Sequence, residues 1–359
     1  MAFPSVGQCI SLDWYSLLLN QERRLHPLRQ LFWECTLRCN LHCRHCGSDC
    51  TASALTPDMP FEDFEKVLLR LREAYRPRDI LVIFSGGVPL MRADLVRCGQ
   101  RVKELGFPWG MVSNGYLMTP RKMAELLSAG MRTCTISLDG LEAEHDWMRG
   151  VPGSFTRADA AIRHLAALPS IGFDVVTCVT QRNFGQLEAI KAYLTEAGVR
   201  RWRIFTVFPV GRAATDPDMQ LSKEQYRALM EFIVRCRKDK RGIRVTYGCE
   251  GFLGPYERKV RDLPFSCQAG LSIASVRIDG AISGCTSIRS SLSQGNIYQD
   301  DFVDVWEHRF GPFRDHTPFK TGPCAACKYW KKCQGNGMHL RGENGELLLC
   351  NLAKLTDAG

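Results

Sequence analysis

Three cysteines, Cys39, Cys43 and Cys46, stand in the spacing CxxxCxxC directly after the apolar run Leu31-Phe32-Trp33. Thiols this close, at the end of a segment that reads as a buried strand, commit the loop between them to one metal centre. Three thiolates cannot fill the four sites of a [4Fe-4S] cluster, so one iron is left open. Such an iron binds and reduces a ligand instead of only relaying electrons. The competing reading of the triplet is three buried cysteines that bind nothing.

With 359 residues, 45% of them hydrophobic, the chain is long enough for one large α/β domain and a smaller one. It has no apolar run long enough to span a bilayer, and its Met1-Ala2-Phe3-Pro4 start lacks a basic region followed by an apolar one. Neither a membrane span nor a secretory signal is expected, and the cytoplasm is the default location. There, 17 cysteines point to metal or redox sites rather than to disulfides. The formal charge of +9 is scattered among helices, in short runs such as Arg200-Arg201-Trp202-Arg203 that read as solvated faces. That distribution argues against nucleic acid as a partner and suits an anionic cofactor, cluster thiolates or an acidic substrate.

From residue 31 short apolar runs alternate with amphipathic stretches, the pattern of repeated βα units around a parallel sheet. Six strands are expected: Leu31–Glu34, Ile80–Phe84, Trp109–Val112, Thr133–Leu138, Phe173–Val179 and Trp202–Phe208. Helices should begin near Pro60, Ala93, Pro120, Ser154, Phe184 and Ser222, with Ser154 and Ser222 as N-caps and Gln225 completing a capping box. Residues 1–30 read as an amphipathic helical extension packing on the barrel, 31–235 as the barrel, 236–266 as a bridge and 267–359 as a cysteine-rich domain. In βα barrels the chemistry sits where strands end and loops begin.

The cysteine segment resembles the cluster loop of the radical S-adenosylmethionine (SAM) superfamily. Only one frame fits, because a frame begun at Cys35 meets His42 where a cysteine is needed. The resemblance implies an α/β fold of the partial (β/α)6 TIM-type barrel, open on one side to a large substrate. It also implies SAM held by the open iron and cleaved by one electron to a 5′-deoxyadenosyl radical, with a low-potential donor such as flavodoxin or ferredoxin. After the second strand, Gly86-Gly87-Val88-Pro89 is similar to the family's GGEP motif, whose backbone approaches SAM closely. Val88 replaces the family's Glu, forfeiting a charge-assisted hydrogen bond of about 1.5–3 kcal/mol. Asn114 after the third strand matches an (S/T)NG element. Ser137-Leu138-Asp139-Gly140 and His145-Asp146-Trp147-Met148-Arg149-Gly150 resemble SxDG and HDxxRG, which implies cofactor contacts for Ser137 and Asp139 and loop ordering by Arg149. His145 is as readily a structural histidine as a base. Gly211-Arg212-Ala213 recurs after strand six of such relatives.

Near the C-terminus, Cys267, Gly280, Cys285, Cys324, Cys327, Cys333 and Cys350 resemble the SPASM extension of radical SAM peptide and protein maturases. Cys324, Cys327, Cys333 and Cys350 would complete a four-thiolate auxiliary [4Fe-4S] cluster; a zinc site is the other reading of these residues. The pattern then breaks, because Gly337 stands where the family has a further cysteine that helps to hold the other auxiliary cluster. Cys249 is a candidate third ligand beside Cys267 and Cys285, so one or two auxiliary clusters are expected. Thr286 replaces the Asp base that anaerobic sulfatase maturases place after the second of these cysteines, which argues against formylglycine formation. Cys9, Cys35, Cys50, Cys98, Cys134, Cys178 and Cys236 read as core or unligated, Cys50 being the nearest to the first cluster. The leading expectation is hydrogen abstraction from a peptide or protein side chain. The alternatives are a tetrapyrrole or small-metabolite substrate and, from another class, a non-catalytic iron-sulfur relay or binding protein.

Overall fold

The computed structural model describes residues 6–239, 241–288 and 292–356; the Met1–Pro4 start and the Cys9 side chain lie outside the described residues. Six parallel strands carry the expected units: β1 (Gln30–Thr36), β2 (Leu81–Gly86), β3 (Trp109–Ser113), β4 (Met131–Ser137), β5 (Gly172–Val179) and β6 (Arg201–Thr206). A seventh parallel strand, β7 (Arg244–Tyr247), adds to β6. On the other side β8 (Ile273–Val276) pairs parallel to β1, and β9 (Ala281–Ser283) and β10 (Gly295–Asn296) continue antiparallel. The order β10-β9-β8-β1-β2-β3-β4-β5-β6-β7 leaves β7 and β10 as opposite edges of one open sheet. Among the described residues no helix is long and apolar enough to cross a membrane.

The helices cover the outer face of the sheet. Helix α1 (Val6–Leu25) precedes the barrel, and α2 (Phe61–Ala74) buries Phe61, Phe64, Val67, Leu68 and Leu71, one stripe of a 3.6-residue period. Phe64 stacks on Trp33 at 4.6 Å, and Phe84 meets the same indole edge-on at 5.2 Å, so β1, β2 and α2 share one aromatic knot. Helix α3 (Leu95–Glu104) carries Gly99 in its interior, where glycine costs roughly 0.5–1 kcal/mol relative to alanine. The reason is Trp109: a Cβ at residue 99 would lie 2.2 Å from its indole. Helices α4 (Pro120–Ser128), α5 (Glu142–Arg149), α6 (Ser154–Ala166), α7 (Leu187–Glu196) and α8 (Lys223–Lys238) complete the units.

Two helix starts differ in kind. Ser222 forms the expected capping box with Gln225, at 3.1 Å in each direction. Ser154 is not an N-cap: Gly153, at φ +76°, occupies that place, and the Asp146 carboxylate accepts the Gly153 and Phe155 amides at 2.5 and 2.7 Å. Residue 146 of the HDxxRG stretch therefore caps α6 from the preceding helix. Strand β6 stops at Thr206, two residues short of expectation, because the Thr206 amide donates to Glu250 Oε2 at 2.7 Å instead of continuing the ladder.

The N-terminal extension meets both the barrel, where the Arg29 carbonyl accepts the Leu81 amide at 2.8 Å, and the C-terminal part of the chain. Arg23 donates to Gln334, His26 Nε2 lies 2.8 Å from the Glu307 carboxylate, and Trp306 Nε1 donates to the His26 carbonyl. Replacing Ser222 by Ala is expected to lower folding stability by about 1 kcal/mol, the usual worth of such a cap. A drop in the urea midpoint with an unchanged slope would measure it.

Candidate active site

The loop after β1 has almost no regular structure between residues 37 and 60, so other strand ends must hold it. Its backbone is gripped from three sides. From β2, Gly87 donates to Thr36 O at 2.7 Å and Val88 to Arg38 O at 2.9 Å. From the end of α5, Arg149 O and Met148 O accept the amides of His42 and Arg44 at 3.1 and 2.9 Å. After β6, Arg212 donates from its amide to Cys46 O at 3.1 Å and from Nε to Cys43 O at 2.8 Å. The glycines of the GGVP turn serve this approach: a Cβ at 86 or 87 would lie 2.1 Å from Thr36 O or 2.2 Å from Arg38 O.

The loop walls a cavity of about 390 Å3 at the C-terminal ends of the strands. Cys39, Cys43 and Cys46 line it together with Gly86, Gly87, Val88, Asn114, Ser137 and Arg149, which brings most of the expected site residues to one place. Pro89 stands one step behind, opening a short 3-10 turn, and Asp139 is fully buried beneath Arg149. The Asn114 amide donates to Asn40 Oδ1 at 3.0 Å, fixing the cysteine loop from β3. His45, Cys50 and Ser287 also line the cavity. Ser287 is on the C-terminal side of Cys285 and carries no sequence motif.

Burial raises the Cys39 and Cys43 thiols, Cys39 feeling the charge of Cys43 and Cys46 and Cys43 that of Cys46. Cys46 is different: a hydrogen bond from the Cys50 thiol pulls it down to about 5, into the thiolate form that ligates metal. Burial opposes the charge of Arg149, but Asp139, at 2.6 Å, more than restores it. The guanidinium then donates to Cys43 Sγ at 3.6 Å. His45, Asp139 and Cys178 place ligand atoms within 4.8 Å of one another, yet the Arg149 guanidinium neutralises the carboxylate and disfavours a cation there. His145 is buried, its Nδ1 accepting the Asp139 amide at 3.1 Å, and burial lowers its pKa to about 4. It is a structural histidine. Cys35 donates to Ser85 O at 3.3 Å, and Cys98, Cys134 and Cys236 are buried.

A second group gathers Cys324, Cys327, Cys333 and Cys350. Burial raises Cys333 to about 12, with Cys350 and Cys324 as charged neighbours, and Cys350 in turn feels Cys324 and Cys327. Arg341 reaches Cys324 Sγ at 3.8 Å. A third group is Cys249, Cys267 and Cys285: Cys249 touches solvent, but the surrounding protein raises it to about 12, with Cys285 and Cys267 beside it. Next to it Glu250, missed in the sequence, is raised to about 7 by burial and accepts hydrogen bonds from Thr206 and Tyr247.

The family model of the radical SAM superfamily matches residues 33–194, and that of an iron-sulfur cluster-binding domain, SPASM, matches residues 267–328. A mycofactocin maturase of Mycolicibacterium smegmatis is 30% identical over 331 residues, covering 88% of this chain and 80% of that protein. The chain belongs to the radical SAM superfamily. It is an enzyme of the SPASM-bearing branch, which sets aside the non-catalytic alternative. An AdoMet-dependent heme synthase of Nitratidesulfovibrio vulgaris is 27% identical, covering 84% of this chain and 85% of that one. Among solved structures, SuiB of Streptococcus suis bound to S-adenosylmethionine aligns at a TM-score of 0.68 and 18% identity, over 87% of this chain and 73% of that one. The fold is therefore the open α/β barrel of this superfamily, with a [4Fe-4S] cluster, SAM and auxiliary iron-sulfur clusters as cofactors.

The donor sets fit these cofactors. Three thiols and a wall of Cβ-free backbone suit a cluster with one open iron and a ligand beside it, and four clustered thiols suit a fully ligated one. Gly87→Ala is expected to displace the cysteine loop and remove the SAM-binding cluster while the auxiliary iron is retained. Iron analysis with electron paramagnetic resonance (EPR) before and after SAM addition reads this. Val88→Glu is expected to tighten SAM binding about tenfold, one charge-assisted hydrogen bond less part of the cost of burying a carboxylate. An unchanged Kd would show that another group already holds the SAM ammonium.

Proposed function

We propose that Cys39, Cys43 and Cys46 hold the SAM-binding cluster and that the radical made there is directed at a side chain of a peptide or protein precursor. The observation that carries the substrate class is the 30% identity to a maturase over 88% of this chain. The open sheet, with β7 and β10 as its opposite edges, supports a large substrate. Bound there, the cluster and SAM supply reductive cleavage of a carbon–sulfur bond, fed by a low-potential donor such as flavodoxin or ferredoxin. The chain's own residues bind and enclose. Ser137, Asn114 and the Gly86-Gly87 backbone line the cavity and would hold the cofactor, while Arg149 and Asp139 balance charge beneath the cysteine loop. Ser287 closes the cavity from the C-terminal side and helps to exclude water.

A tetrapyrrole substrate is the second reading, favoured by the 27% identity to a heme synthase over most of both chains. One experiment separates the two. The reduced enzyme is incubated with SAM and a perdeuterated cell extract, and deuterium is measured in 5′-deoxyadenosine. Protease treatment of the extract is expected to abolish the transfer; transfer that survives it overturns the peptide reading. Changing Cys39, Cys43 and Cys46 together to Ala is expected to abolish 5′-deoxyadenosine altogether.

A further inference from the structure

Gly337 occupies the place of the family's missing cysteine, yet its backbone does not ask for glycine: its φ is −72°, open to any residue. Space is the reason. A Cβ at residue 337 would lie 2.7 Å from His339 Cε1 and 3.0 Å from His339 Nδ1, so the imidazole stands where a side chain at 337 would begin. The same point is 3.7 Å from the carbonyl of Cys249. The next residue, Met338, donates its amide to Cys267 Sγ at 3.5 Å. The turn of residues 337–339 is thus laid against two of the three cysteines that lack a fourth partner, and the third, Cys285, is the neighbour whose charge both of them feel.

The ring is held but not satisfied. It packs on Phe208, the centroids 5.1 Å apart, and is half-buried. Among the described residues neither ring nitrogen meets a hydrogen-bond or ion-pair partner. Both nitrogens are therefore free to bind a group outside the protein's own hydrogen bonds, and neutral imidazole is a common metal ligand. Imidazole is an established alternative to thiolate on iron-sulfur clusters.

We propose that His339 replaces the cysteine absent at position 337 and completes, with Cys249, Cys267 and Cys285, the ligand set of a second auxiliary cluster. Glycine at 337 and histidine at 339 are then one exchange: removing the side chain at 337 makes room for the ring. A neutral imidazole in place of an anionic thiolate leaves the cluster less negative and easier to reduce, so this centre should sit at a higher potential than an all-cysteine one. The assignment does not depend on which substrate the enzyme takes.

The test uses the full chain, reconstituted anaerobically with iron and sulfide, in a background with Cys39, Cys43 and Cys46 changed to Ala so that only auxiliary clusters remain. Pulsed EPR of the reduced protein carrying 15N-histidine should show a strongly coupled nitrogen. The coupling should vanish in His339→Ala and His339→Cys, and the His339→Cys protein should keep its iron while its midpoint potential falls. Circular dichroism confirms that both variants fold. The proposal is overturned if the background protein shows no coupled nitrogen, or if the coupling persists in His339→Ala. It is equally overturned if changing Cys249, Cys267 and Cys285 to Ala leaves the iron content unchanged.

Discussion

The site depends on the hydrogen bonds that immobilise the loop between β1 and α2. Ordering one residue of irregular chain costs about 1–2 kcal/mol of backbone entropy, and this segment has no ladder of its own to offset it. Its carbonyls and amides are instead taken up by the ends of β2, α5 and β6, through Gly87, Val88, Met148, Arg149 and Arg212. The barrel's register therefore decides where the thiols go. Because the strands are parallel, all of these ends fall on the same rim, and residues far apart in the chain converge on one loop. The motif positions act as clamps on that loop.

Charge is arranged by the same logic. Arg149 is buried, which no arginine tolerates without a partner, and Asp139 at 2.6 Å supplies one. The pair is close to neutral as a unit, so it can sit beneath a cluster that is itself anionic. The guanidinium edge left over faces Cys43 Sγ and tempers negative charge at one ligand. Arg212 does the same for loop carbonyls while pairing with Asp49 at 3.0 Å. A net positive chain thus spends part of its excess charge where thiolates gather.

Much of this was legible in the amino-acid sequence, for physical reasons that also mark where legibility ends. The six barrel strands and the helices that follow them show because buried parallel strands are long apolar runs and their helices are strongly amphipathic. Strands β7 to β10 have four, four, three and two residues and carry no such period. The cysteines show because their spacing is local. Ser287 and Glu250 do not, because they reach the sites through tertiary approach and belong to no local spacing. Ser154 misled for a related reason: a serine ahead of a helix reads as a cap, but Asp146 of the preceding helix reaches the orphan amides first. Val88 and Gly337 stood out as departures, yet only the packing around them says what each departure does.

Strand β1 ties the two halves of the chemistry together. Its C-terminal end opens into the loop of Cys39, Cys43 and Cys46, while its flank pairs in parallel with β8, Trp33 opposite Val276. The Glu34 carboxylate, buried at the top of β1, accepts the amide of Ile278 at 3.1 Å, pinning the turn from β8 into β9. Strand β9 leads within two residues to Cys285. One strand therefore fixes the loop of Cys39, Cys43 and Cys46 and the approach to Cys285 in a common frame. The barrel motifs are constrained from several strands at once, through hydrogen bonds from the ends of β2, β3, α5 and β6.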